Sequence, residues 1–405
     1  MYTMLKKINE GLKPETEKFV KSLINIQSPT LGETHAAEFI YTTMKSLGFD
    51  KTIIDEAGNC VGVILGRELS PVILLNSHMD VFQNPNNADL ETDTNENIIV
   101  GPGASDCKSG IAAQIFSAHL LRKSLLPLRG SIVVATTVAE ANGLSLGMKT
   151  LLNSTLPKLG LNPNFAILGE PTNLGIYYGH DGWLEMVISI EGTNSFHVDD
   201  TAKLLFSNLT MNEGPISKND FDLEHLRVLQ PQFETLQGVR KATIPVVRRL
   251  SYGQNETIAL NEMKNILNSS PVSSGNVAVS VEVKNVYTKL RAGQKVLTKH
   301  CVKAWETDPF SPLMTRARQC LEAAGLTVKS GKWTLPKLGM GTAGSVLVNE
   351  YCIPTIGYGP GDETVAHSPN EYVEKEKLFT AVLGTAAIVH GLVGYPVCGW
   401  TLDEI

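Results

Sequence analysis

The chain has 405 residues, enough for two domains, with 42% apolar and 19% charged residues, the balance of an ordinary globular protein. Its net charge of −6 gives no electrostatic reason to expect nucleic acid or an anionic membrane as a partner. No apolar run reaches transmembrane length, the first residues lack the apolar stretch of a signal peptide, and the six cysteines form no C-x-x-C pair, so a reducing cytoplasm is the expected compartment.

Residues 14–23 and 35–47 carry apolar side chains at helical spacing, separated by the turn Ser28-Pro-Thr-Leu-Gly32. Residues 51–65 predict a hairpin turning at Ala57-Gly58-Asn59. The short apolar run 71–75 leads into Asn76-Ser77-His78-Met79-Asp80 and reads as a buried parallel strand whose end delivers a histidine and a carboxylate. A polar loop at 84–97 precedes a short strand at 98–100, and 109–125 predicts a helix. The loop before that helix, Gly101-Pro-Gly-Ala-Ser-Asp106, invites a phosphate-loop reading. That reading fails because Cys107 stands before Lys108, where close approach to phosphate needs glycine. No histidine is locally paired with Cys107 to make it a nucleophile. The glycines instead let the chain turn and present Asp106. Three more apolar runs repeat the strand pattern: 131–138 leads to Glu140, 165–168 to Glu170, and 353–358 to a glycine loop before His367.

From Trp183 the pattern changes. Residues 184–191 and 276–286 alternate like half-exposed strands, with a helix at 202–209 and a long, poorly periodic polar stretch between them. A helix at 312–324, a short apolar piece at 326–328 and a helix at 375–393 complete the chain. The expected fold is α/β: a larger domain with a mostly parallel central sheet, from residues 1–183 and 299–405, and a smaller α+β lid inserted at 184–298.

Imidazole and carboxylate are what a borderline divalent cation such as zinc takes, so His78, Asp106, Glu170 and His367 are the candidate ligands. Asp80 reads as the carboxylate that accepts the N–H of His78 and fixes its tautomer. His35, His119, His225, His300 and His390 read as ordinary helix or surface residues, and His180 as a residue of the domain crossing.

The motifs, in this order, resemble those of the M20 family of metallopeptidases and amidohydrolases, which includes acetylornithine deacetylase and succinyl-diaminopimelate desuccinylase, and within it the YgeY-like hydrolases. Ser77-His78-Met79-Asp80 is similar to the first ligand motif, and Gly101 to Asp106 to the segment with the metal-bridging aspartate. Gly169-Glu170-Pro171-Thr172 resembles the Glu-Pro-Thr ligand motif, and the segment from Gly357 to Glu371 resembles the last, histidine-bearing motif. The resemblance implies a zinc-peptidase-like catalytic domain that holds Zn2+, with Co2+ or Mn2+ as alternatives, and a cis peptide at Asp106–Cys107. It implies a metal-activated water attacking an amide of a small N-acylated amino acid or peptide, with Glu140 as general base. It further implies a homodimer formed through the lid, with His197 lent to the neighbouring site to steady the oxyanion.

The chain also departs from that family. Where the resemblance implies two successive glutamates, base then ligand, this chain has Glu140-Ala141, so Glu140 is either the base or a replacement ligand. One tight metal site and a weaker second site are therefore expected. His197 is followed by Val198-Asp199-Asp200, and the arginine expected after the late lid strand is absent from Val283-Lys284-Asn285-Val286. Lys284 lacks the planar fork that would replace it. The alternative reading is a catalytically degenerate relative that acts as a binding or assembly partner.

Overall fold

The computed structural model describes residues 1–81, 97–140, 143–211, 226–269, 277–289, 293, 295–335 and 340–395. Ala141, His225, Cys398 and all of the polar stretch 84–97 except Asn97 lie outside these residues. The strand Val72–His78 is buried at every position and runs between Ser131–Thr137 and Phe165–Leu168, parallel to both. Thr355–Gly357 adds a further parallel strand beside Phe165–Leu168. At the flanks the pairing turns antiparallel, with the hairpin Lys51–Ile54 and Cys60–Ile64 on one side and Ile176–His180 on the other. The sheet is thus mixed, with a parallel centre.

Its strands are apolar on both faces because both are covered. Ile73 and Leu75 pack in one core with the helices Tyr2–Ile24, Ser109–Ser124 and Lys375–Val393. Val72 and Leu74 pack on the other side with Leu151, Trp333 and Val346. Among the described residues, Lys375–Val393 is the one helix long and apolar enough to cross a membrane; here it lies in the core between the other helices. The first helix starts well before the expected residue 14 and runs through Pro14, because Leu5, Leu12, Phe19 and Leu23 share one buried face across it. The apolar piece at 326–328 is not a strand; the chain pairs instead at Ser330–Trp333, beside Ile176–His180.

The inserted region forms a second, antiparallel sheet in the order Gln232–Leu236, Val239–Leu250, Gly182–Gly192, Val277–Val283. The helices Ser195–Met211 and Glu256–Ser269 close one face over Ile188, Ile190, Ile244 and Val246. The stretch read as poorly periodic therefore supplies three strands and a helix. Pro245 hid the longest strand, since proline inside a central strand removes a ladder donor. Its carbonyl accepts from Leu229, so its missing N–H faces the same side, in the break between the short strands Leu226–Val228 and Gln232–Leu236. The two sheets are tied by contacts to main-chain carbonyls. Trp183 Nε1 donates to Met340 O at 2.7 Å, and Arg249 donates to Thr334 O at 3.1 Å and Leu335 O at 2.6 Å.

Candidate metal centre

Parallel strands end on one edge of a sheet, and the chemistry gathers there. His78 is the last residue of its strand, Glu170 stands two residues past Phe165–Leu168, and Glu140 three past Ser131–Thr137. His78 Nε2 lies 3.2 Å from Asp106 Oδ1 and 3.8 Å from Glu170 Oε2. One ligand atom from each of His78, Asp106, Cys107 and Glu170 falls within 4.8 Å of all the others. The second Asp106 oxygen, Oδ2, is 2.8 Å from His367 Nε2. Asp106 therefore offers one oxygen to each histidine.

Asp106 reaches this position through a tight turn at Ala104–Lys108, entered at Gly103 with φ 77° and broken at Asp106 itself with φ −128° and ψ 93°. The Asp106–Cys107 peptide is cis. The turn is held by Glu371, whose carboxylate accepts the amides of Gly103, Ser105 and Asp106 at 3.2, 2.8 and 2.7 Å. Glu371 lies four residues after His367, so one C-terminal segment carries that histidine and also clamps the Asp106 loop. The sequence contained Glu371 within a motif but gave no sign of this role.

His78 Nδ1 is 2.7 Å from the carbonyl of Asp80 and 3.4 Å from its Oδ1. The main-chain oxygen, rather than the carboxylate expected from sequence, is the nearer acceptor, and it leaves Nε2 free to face the site. The Asp80 carboxylate instead accepts the Glu140 amide at 3.0 and 3.1 Å and the Thr30 hydroxyl at 2.9 Å. It orients the segment that carries Glu140. Glu140 is buried, with Oε1 accepting the Ser145 hydroxyl at 2.6 Å. His197 lies in the first turn of Ser195–Met211, ahead of the helix expected at 202–209, its ring 5.9 Å from that of Phe196 and its amide facing the Asn194 side chain. Lys284 is bound to Glu185 at 2.7 Å, and Glu185 also takes His300.

Burial raises the Glu140 carboxyl to about 7, and it holds Glu170 well above the usual carboxylate range, with Asp106 and Glu140 adding to the effect. Burial also opposes charge on His78, but Asp106, Asp80 and Glu170 outweigh it and raise the imidazole well above 6.5. Burial likewise opposes a charged Asp106, yet His78 and His367 hold it below the usual range. Buried carboxylates around two imidazoles, short of positive charge, suit a divalent cation. Two further atoms point the same way. Glu170 Oε1 and Glu140 Oε2 are buried without a hydrogen-bond partner, and a buried oxygen left so is costly unless something positive meets it.

The model of Peptidase family M20/M25/M40 matches residues 74–390, and the chain belongs to this family of metallohydrolases acting on amide bonds. The uncharacterised YgeY protein of Escherichia coli is 27% identical over 92% of this chain and 93% of its own length. A protein of Pyrobaculum aerophilum named as a LysW-lysine/LysW-ornithine hydrolase is 26% identical over 88% of this chain and 92% of its own. Among solved structures, the Bacillus subtilis YxeP protein, described as a dinuclear metal-binding peptidase, shares the fold with a TM-score of 0.68 at 14% identity, covering 94% of this chain and 98% of that one.

Proposed function

We propose that the chain hydrolyses the amide of a small N-acylated amino acid or peptide-like substrate, with zinc held by His78, Asp106 and Glu170 and a weaker second site between Asp106 and His367. The observation that carries this is the pair of partnerless buried oxygens on Glu170 and Glu140, set beside a cluster of donors within 4.8 Å. When bound, the metal polarises the carbonyl and makes water acidic enough to attack at neutral pH. The remaining work belongs to the chain. Glu140 takes the proton of the attacking water on Oε2 and returns it to the leaving amine. The Asp80 carboxylate fixes the Glu140 backbone, and the Asp80 carbonyl fixes the His78 tautomer. His197 of the partner subunit, in a homodimer formed through the lid, steadies the oxyanion. The Pyrobaculum relative, named as a hydrolase of lysine and ornithine conjugates, supports a substrate that contains an amino acid.

The test loads the protein with zinc, dialyses it, measures metal per chain, and then screens N-acyl amino acids and dipeptides. One tightly retained metal per chain and release of amine from at least one of the two classes is the expected result. A chain that retains no metal, or one that is loaded and turns over neither class, overturns the proposal.

A further inference from the structure

A carboxylate beside a metal can serve as proton acceptor or as ligand, and doing one removes it from the other. Glu140 faces that choice. Its amide donates to the carboxylate of Asp80, whose carbonyl meets His78 Nδ1, and its Oε2 is buried without a partner. On the His367 side, Nε2 meets Asp106 Oδ2 at 2.8 Å, and among the described residues no cluster of three His, Cys, Asp or Glu ligand atoms includes His367. A free carboxylate in this pocket would be drawn to that gap.

We infer that Ser145 is the positioning residue that keeps Glu140 as the proton acceptor, an inference that rests on the metal-site reading above. Its hydroxyl donates to Oε1 at 2.6 Å and leaves Oε2 buried without a partner. The hydroxyl is itself held firmly. Ser145 is fully buried and sits in the left-handed region at φ 51°, just before the short helix Leu146–Thr150. Gly147 behind it is pressed onto the end of the base strand, where an added Cβ would lie 2.5 Å from both Val138 O and Asn59 Oδ1. Asn59 completes the brace by donating to Gly147 O at 2.9 Å and accepting the Val138 amide at 3.0 Å. On the other side of Glu140, Ala139 also has positive φ, 55°, and donates its amide to Glu33 at 3.0 Å. Glu140 is thus fixed through its backbone on one side and through one carboxylate oxygen on the other. Removing the Ser145 hydroxyl frees the carboxylate to turn about its last bond toward the two-donor gap.

The experiment compares zinc retained per chain after loading and dialysis for the wild type, Ser145→Ala, Ser145→Gly, and Ser145→Ala combined with Glu140→Ala. Alanine and glycine both delete the hydroxyl, but glycine accepts the left-handed backbone without strain, so agreement between them assigns the effect to the hydroxyl. Retention should rise from one metal toward two in both single variants and fall back to one in the double variant, where the recruited carboxylate is gone. On any substrate found in the screen, kcat of both single variants should drop about tenfold or more while KM changes little. Ser145→Cys, a weaker donor, should lie between. A wild type that retains no metal would remove the metal-site reading itself. A wild type retaining one metal, with both single variants unchanged in retention, would remove the role of Ser145, and so would a wild type that already retains two.

Discussion

Glu140 and Glu371 share a condition uncommon for carboxyls, since burial raises both to about 7, Glu371 despite three amides pointed at it. In the unfolded chain they titrate near 4.5. Between about 4.5 and 7 the folded, metal-stripped protein holds protons that the unfolded chain has shed, so raising pH through that window lowers stability. Denaturant melts of the stripped protein should show this loss, and added zinc should reverse it most strongly at the upper end, where the carboxylates are ionised. A flat profile from pH 4.5 to 7 would mean that these carboxyls are better solvated than their burial implies. Glu140→Gln keeps the shape and the Ser145 contact but cannot take a proton. It should lose about 10²- to 10⁴-fold in kcat, read by steady-state kinetics, while retaining its metal. Activity within a few-fold of wild type would assign the base elsewhere.

The clamp between Glu371 and the turn Ala104–Lys108 is the element that sets the Asp106 carboxylate between His78 and His367. Glu371→Ala leaves three amides without their acceptor, and a buried unpaired donor costs about 1–3 kcal/mol. The variant should melt several degrees lower and lose zinc on dialysis, whereas Glu371→Gln, which keeps one acceptor oxygen, should be milder; equal metal retention in both would show that the turn holds itself. Little of this clamp was legible in advance, because a hydrogen bond between residues 265 positions apart leaves no periodic trace. What was legible is what periodicity and punctuation record. Phe165–Leu168 and Lys375–Val393 fall on the expected residues because an apolar run bounded by turn residues and an apolar face of helical period have little alternative. The donors His78 and Glu170 could be picked out because strand ends in a parallel sheet share an edge, and Asp106 because a glycine-rich loop between those strands turns to present it. The lid helix at Ser195–Met211 began earlier than expected, since the Asn194 side chain accepts the Phe196 amide at 3.0 Å and starts the helix before the apolar spacing does. That cap is what puts His197 inside the helix.

For the whole molecule, the proposed homodimer makes a prediction that a monomeric site would fail. If each site takes Glu140 from its own chain and His197 from the other, then Glu140→Gln and His197→Ala, each weakly active alone, should recover activity when mixed and allowed to exchange subunits. No recovery in an exchanged dimer would return His197 to an ordinary helix residue. The attachment of the lid also has a consequence for how the protein can change over time. Trp183 and Arg249 grip the other sheet through the carbonyls of Met340, Thr334 and Leu335. A carbonyl is the same atom whatever side chain its residue carries. The joint itself is therefore blind to side-chain identity at those three positions, and what limits change there is packing, since Leu335 and Met340 are also buried in the core beside Trp333.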